Sequence, residues 1–326
     1  MFDKSIIVGK FKLSNKVTFF LSLVFLVLAI YYLWIEIASA NSSIVQVLNN
    51  TSVSSLLISL AVVFFLQFLN WFIEALKFKV LLQKDTSLSI LIIIKSIYIG
   101  NFTAFFTPER IGNFIGRAMV FKDKKEEVVL ATLVGNLAQL IITVVVGLIS
   151  MVYLKVYLFN ELFNLAQFQF IPLLFYFLLL VILLFGFFNS KVITFFSKIR
   201  PIEKWANQLQ KLNFFTNSSK FYALFLASLR YLVFYFQYLV LANTLHLDID
   251  FINLFAYVGV LFGLVTFIPS PFPGNLGTRE GLASFLLGGG LIGIQFSFIS
   301  FFVWLINVGF SSIFGGIIYS YTYLKK

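Results

Sequence analysis

The sequence predicts an all-α, polytopic transmembrane helix bundle of eight hydrophobic segments: six full spans and two re-entrant helical hairpins. Three observations predict it. First, 60% of the residues are hydrophobic, only 11% are charged, and Phe alone fills 44 of 326 positions. A water-soluble chain of this size has no interior large enough for that much apolar surface, so lipid must solvate it. Second, several apolar stretches reach the roughly 20 residues needed to cross a ~30 Å hydrocarbon core. Third, the basic residues recur on alternate connections. Lys4, Lys10, Lys12 and Lys16 precede the first stretch, and Lys77, Lys79 and Lys84 follow the second. Arg110, Arg117, Lys122, Lys124 and Lys125 come next, then Lys191, Lys198, Arg200, Lys204, Lys211 and Lys220, with Lys325 and Lys326 at the end. Only Lys155 falls on the opposite side. This positive-inside pattern explains the net charge of +11 through anionic lipid headgroups and excludes nucleic acid as a partner.

The full spans read as 17–38, 53–76, 128–153, 171–188, 220–244 and 295–322. The first begins like a secretion signal, with basic residues, an apolar run and then Ala38-Ser39-Ala40. The run from Val17 to Ala38 is too long for a signal core, so it is expected to remain as an uncleaved helix. Two further apolar regions are interrupted. The region 87–121 breaks at Thr107-Pro108-Glu109-Arg110-Ile111-Gly112-Asn113, and 251–291 breaks between Pro269 and Gly277. Four of the six prolines lie in these breaks. Each region therefore reads as two half-helices, because proline removes a backbone donor and glycine relaxes the chain.

Lysines flank the first hairpin on both sides, so it opens to the cytoplasm. The second follows the lysine-free turn His246-Leu247-Asp248-Ile249-Asp250 and opens outward, which leaves both termini cytoplasmic. The halves 1–153 and 154–326 then each read span, span, hairpin, span in opposite orientation. Tyr98-Ile99-Gly100 lies ten residues before Pro108, and Tyr257-Val258-Gly259 twelve before Pro269. Together these suggest one membrane domain built as an inverted repeat, as in transporters that alternate access around a midplane site. The basic, amphipathic segment 189–219, with Trp205, Leu209 and Leu212 on one face, reads as a cytoplasmic helix lying on the membrane.

Little in the chain supports covalent chemistry. Cysteine is absent and His246 is the single histidine, read as an interfacial residue at a helix end. There is no metal-ligand cluster, no phosphate-cradling glycine loop and no Ser–His–acid set, so neither metal, cofactor nor enzymatic activity is expected. The breaks are the better candidates. Thr107-Pro108-Glu109-Arg110 reads as a helix start, and Asn275 or Thr278 as the cap before Arg279-Glu280. Two half-helix N-termini meeting inside the membrane would favour an anion, with Arg110, Arg117 and Arg279 adding forked donors. A charge at the bilayer centre costs roughly 2.5–3.5 kcal/mol, so Arg279 and Glu280 need partners. Either substrate supplies them, or ion pairs of Arg279 with Glu109 or Glu280 with Arg110 do. Glu74, Lys95, Asn136, Gln139, Arg230, Gln237 and Asn307 lie inside spans and read first as interhelical hydrogen-bonding or snorkelling groups. Asn136, Gln139 and Asn307, placed alike after the two breaks, are the stronger pathway-lining candidates.

At both breaks the sequence resembles the transmembrane region of the lysylphosphatidylglycerol synthase family, the flippase part of the multiple peptide resistance factor proteins. The first motif stands as Pro108-Glu109-Arg110-Ile111-Gly112-Asn113-Phe114-Ile115-Gly116-Arg117, the second as Pro271-Phe272-Pro273-Gly274-Asn275-Leu276-Gly277-Thr278-Arg279-Glu280. Asn113 stands where the family usually has glutamate, and Asn275 where it has glycine. The resemblance implies movement of a polar or charged lipid between leaflets of a bacterial inner membrane. The expected partner is an anionic or headgroup-modified phospholipid, with polyprenyl-linked lipids as a further class. Glu109, Arg110, Asn113, Arg117, Asn275, Thr278, Arg279 and Glu280 are the expected substrate contacts. Synthesis is not expected, because the soluble domain of the aminoacyl-transferring members has no counterpart before Lys326. The rival readings are a membrane subunit that anchors or regulates a separate enzyme, and an intramembrane headgroup enzyme using Glu109 and Glu280. A homo-oligomer is also compatible with the sequence.

Overall fold

The computed structural model describes residues 51–82, 88–107, 110–121, 123–154, 170–189, 214–268 and 273–323, with further helical residues at 24, 27, 28, 30–35, 37 and 38. Among the described residues every regular element is helical. In chain order they are α1 (Val53–Leu81), α2 (Ile90–Phe105), α3 (Gly112–Val120), α4 (Lys125–Tyr153), α5 (Phe170–Phe188), α6 (Asn217–Thr244), α7 (Phe251–Val265), α8 (Thr278–Leu286), α9 (Gly290–Trp304) and α10 (Ser311–Tyr323). A π-helical turn, Leu305–Phe310, joins α9 to α10, so Gly290–Tyr323 runs as one 34-residue helix.

Local chemistry sets most of the boundaries. The hydroxyls of Ser52, Ser89 and Thr216 and the carboxylate of Asp250 accept backbone N–H bonds at the starts of α1, α2, α6 and α7. At the end of α6, Leu247 N–H reaches Ala242 O at 2.9 Å and His246 takes φ 52, a left-handed stop that leaves His246 exposed. The four long helices have 29, 29, 28 and 34 residues, at least about 40 Å each at 1.5 Å per residue and enough to cross a bilayer. By contrast α2 has 16 residues and α3 has 9, α7 has 15 and α8 has 9. None of these four reaches ~30 Å.

Several boundaries differ from the sequence reading. The span expected to end at 76 continues to Leu81 and takes Lys77, expected as a loop flank, into the helix. The last span starts at Gly290 rather than 295, where Gly289 at φ 68 turns the chain. In the first break the helix does not start at Thr107–Arg110. Arg110 sits at φ 58, which an α-helix does not accommodate, and α3 starts at Gly112. Thr107 still accepts a bond from Gly112 N–H at 2.7 Å. In the second break Thr278 is the first helical residue rather than its cap, and Gly277 precedes it at φ 83. Most of the segment read at 189–219 lies outside the described residues, as does half of the span 17–38.

Packing is reciprocal between the halves. Helices α1 and α6 lie side by side and antiparallel, with Ser59 bonded to Thr244, and Asn70 and Glu74 to Arg230. Helix α4 packs on α7 through Gly147 and Gly263, where a Cβ on Gly147 would lie 3.3 Å from the Gly263 Cα. Helix α10 packs on α2 through Gly315, where a Cβ would stand 2.0 Å from Tyr98 O. Small residues let these backbones approach closely, the usual device where lipid supplies no hydrophobic drive between helices.

The surface is inverted relative to a water-soluble protein. On α1 Leu57 and Phe65 are exposed at 61% and 69%, whereas Gln67, Asn70, Glu74 and Lys77 are buried. Apolar side chains outward and polar ones inward is the arrangement lipid demands.

Candidate functional site

The inward face of α1 carries Gln67, Asn70, Trp71, Glu74 and Lys77, spaced three and four residues apart so that they share one side of the helix. Glu74 is the hub. Its Oε1 accepts from Arg117 Nη2 of α3 at 3.0 Å, and its Oε2 accepts from Lys77 Nζ at 2.7 Å and from Arg230 Nη1 of α6. Each cation has a second, neutral partner. Lys77 donates to Gly135 O at 3.0 Å, Arg117 Nε to Asn113 Oδ1 at 2.8 Å, and Arg230 Nε to Asn70 Oδ1 at 2.8 Å. The chain continues from Asn70 Nδ2 to Asn307 Oδ1 (3.1 Å) and from Asn307 Nδ2 to Gln237 Oε1 (2.8 Å). The guanidinium of Arg117 lies over the Phe78 ring at 5.0 Å, and that of Arg230 over Trp71 at 5.2 Å.

Helices α1, α3 and α6 thus converge on one carboxylate, and α4 and the π-helical turn join the surrounding network. Asn307 sits within that turn, whose widened backbone is a frequent mark of functional positions. The arithmetic of charge matters more than the number of bonds. Among the described residues three buried cations share one buried carboxylate, and Arg110 lies within electrostatic reach of Glu74, Arg117 and Arg230 as well. A buried ion pair at best offsets its own desolvation, so a net positive cluster is a standing cost unless an anion can join it. Arginine forks and a lysine are suited to the tetrahedral oxygens of a phosphate.

The second break makes a different cluster. Arg279 pairs with its neighbour Glu280 and donates to Ser300 through Nε to Oγ (2.8 Å) and Nη2 to O (2.8 Å). Tyr238 also donates to Ser300 Oγ, at 3.0 Å. The other Glu280 oxygen accepts Gly277 N–H at 2.6 Å, so the α8 N-terminus already holds an anion from its own first turn. Asn275, at φ 60, donates to Val265 O at 2.8 Å, and Thr278 donates to Asn275 O at 2.9 Å, tying the break back to α7. This cluster is neutral and closed on itself.

The structure therefore brings Asn113, Arg117 and Asn307 into one network and places Arg279, Glu280, Thr278 and Asn275 in another. Arg279 and Glu280 find each other rather than residues of the first break. Glu109 lies outside the described residues. Asn136 is exposed, and Gln139 donates to Ala227 O of α6 at 3.4 Å. Sequence reasoning ranked Glu74, Arg230 and Gln237 below the breaks, read Lys77 as a loop flank and did not single out Asn70. The signal was present as four polar residues at 67, 70, 74 and 77 on one face of an otherwise apolar helix.

Beside the network, between α2 and the α9–α10 helix, runs an apolar cleft of about 890 Å³. Phe102, Phe106, Trp304, Gly309, Ser312 and Gly316 line it. Ser312, on the cleft wall, donates to Val308 O and, at 3.3 Å, to Asn101 O of α2.

A helical bundle with lipid-facing apolar surfaces and a buried, cation-rich polar centre defines an integral membrane protein. Residues 17–308 match the family described as the lysylphosphatidylglycerol synthase TM region, and the chain belongs to that family. Nothing among curated proteins or solved structures matches it.

Proposed function

We propose that the protein is a lipid translocase that moves an anionic phospholipid between leaflets of the inner membrane, with no covalent step. The observation that carries this reading is the Glu74 cluster, three buried cations on one carboxylate inside a membrane bundle. In this mechanism the lipid phosphate joins Arg117, Arg230 and Lys77, with Arg110 and Asn113 at the rim. Glu74 holds the cations in place before and after passage. An acyl chain lies in the apolar cleft while the headgroup crosses the polar centre. Membership of a family whose membrane region is associated with lipid movement supports the same reading.

The proposed architecture is six spans with two re-entrant hairpins, α2–α3 opening to the cytoplasm and α7–α8 opening outward, and both termini cytoplasmic. The shortness of these four helices supports it. The inverted repeat is supported by the reciprocal grip of α4 on α7 and α10 on α2. The echoed triplets provide the contacts, Tyr98 meeting Gly315 and Gly259 meeting Ser150. Asn275, Thr278, Arg279 and Glu280 are assigned to holding the second hairpin in shape. No covalent role is assigned to Glu280, because both its oxygens accept bonds from Arg279 and Gly277.

Reconstitution into liposomes with acyl-labelled phospholipids and polyprenyl-linked sugars tests this. An anionic phospholipid should cross faster than in empty vesicles, and Arg230→Ala should abolish the gain. Failure of every lipid class to move under any gradient sinks the proposal. The orientation has a separate check, clean because the chain has no cysteine. A cysteine at Asp248 should label from outside, and one at Lys204 should not.

A further inference from the structure

Bordering the cation cluster is a set of uncharged polar groups. Gln67 is fully buried and Asn101 is 2% exposed, and neither amide atom of either side chain has a hydrogen-bond partner among the described residues. Trp71 Nε1 is in the same condition. The Tyr98 hydroxyl is the polar group beside Gln67. Position ties these groups to the cluster. Gln67 and Trp71 lie on the α1 face that carries Asn70 and Glu74. Asn101 follows Gly100, where a Cβ would meet Asn113 Oδ1 at 2.7 Å and Arg117 Cγ at 2.8 Å. Buried amides are normally satisfied, and two such side chains on the packed helices α1 and α2, each without a hydrogen-bond partner, mark a place suited to a polar visitor.

We infer that Gln67 and Asn101 read the headgroup beyond the phosphate, and that the site takes anionic phospholipids with an uncharged polyol headgroup, glycerol or sugar, over ammonium-bearing ones. An amide offers a donor and an acceptor side by side, and a hydroxyl is both. An ammonium headgroup needs acceptors or a carboxylate. Both oxygens of Glu74 are taken by three cations, and position 113 is the neutral Asn113. A further cation would stand among Lys77, Arg117 and Arg230, a juxtaposition that selects against it. This inference rests on the ligand being a lipid phosphate, but not on the protein moving it.

The test is binding to the purified full chain in detergent, measured by calorimetry with dihexanoyl phosphatidylglycerol, phosphatidic acid, phosphatidylethanolamine and lysylphosphatidylglycerol. Phosphatidylglycerol should bind roughly tenfold or more tightly than either ammonium lipid. The double variant Gln67→Leu/Asn101→Leu should lose the advantage of phosphatidylglycerol over phosphatidic acid while phosphatidic acid binds as before, which also shows the variant is folded. Gln67→Glu should raise the affinity for lysylphosphatidylglycerol. Equal binding of phosphatidylglycerol and lysylphosphatidylglycerol, or a preference unchanged in the double variant, overturns the inference. The predicted preference without transbilayer movement in vesicles upholds it and overturns the translocase reading instead. Binding of no lipid at all overturns both.

Discussion

The two breaks in the helical pattern contain similar ingredients and build different things. Each has a left-handed non-glycine residue two or three positions before a short helix, Arg110 in one and Asn275 in the other, and each supplies a buried arginine. In the second, Arg279 finds its carboxylate one residue away and Ser300 closes the remainder. The result is neutral. In the first, Arg117 finds its carboxylate 43 residues away on α1, where Lys77 and Arg230 already compete for it. The result, among the described residues, is an excess of positive charge around Glu74. A broken helix is thus not a binding site by itself; the balance of buried charge separates a site from a brace.

Four measurements can break or sharpen this contrast. The largest effect is expected from Glu74→Ala, which leaves three buried cations unpaired and should cost about 3–5 kcal/mol. Glu280→Ala removes a carboxylate from a single arginine and one backbone bond, and should cost about 1–3 kcal/mol. Thermal unfolding of both variants in one detergent compares them, and equal losses would erase the distinction between hub and brace. Next, Arg117→Ala should lower lipid movement about tenfold or more, the loss of a charge-assisted contact of ~1.5–3 kcal/mol. Arg279→Ala should lower melting temperature while leaving movement by folded protein within a few-fold. The opposite ranking in vesicles would move the site to the second break.

Smaller effects test the reciprocal packing. Gly259→Val and Gly315→Val each force a side chain into a close helix contact and should each cost about 1–3 kcal/mol. A large loss for one and none for the other would show that the halves are not packed alike. The smallest effect concerns Asp250 at the start of α7. The Asn253 N–H, with further help from the Asn253 side chain and Ile252 N–H, holds its carboxyl below the ordinary carboxylate range. A depressed folded-state value stabilises above the unfolded pKa, and the gain is lost as pH falls through the folded value. Asp250→Asn should therefore flatten the acid limb of the stability curve slightly, read from melting temperature between pH 6 and 3.

Much of the molecule was legible in the amino-acid sequence because it depends on local properties. Hydropathy over some 20 residues marks a helix that lipid can solvate, and proline and glycine mark where it stops. The long helices and the two breaks follow from such short-range physics, as does family membership from the motifs at 108–117 and 271–280. The tertiary structure decided which polar residues meet. Glu74 and Arg230 are 156 residues apart, and their pairing depends on how α1 and α6 are rotated about their axes. Lys77 has the sequence signature of a cytoplasmic flank, yet four more helical residues carry the chain past it and turn it inward. Periodicity shows that 67, 70, 74 and 77 share a face, but not what that face looks at. In a membrane, where apolar surfaces discriminate poorly between one neighbour and another, close glycine contacts and buried hydrogen bonds make that choice, and they exist only after the helices have packed.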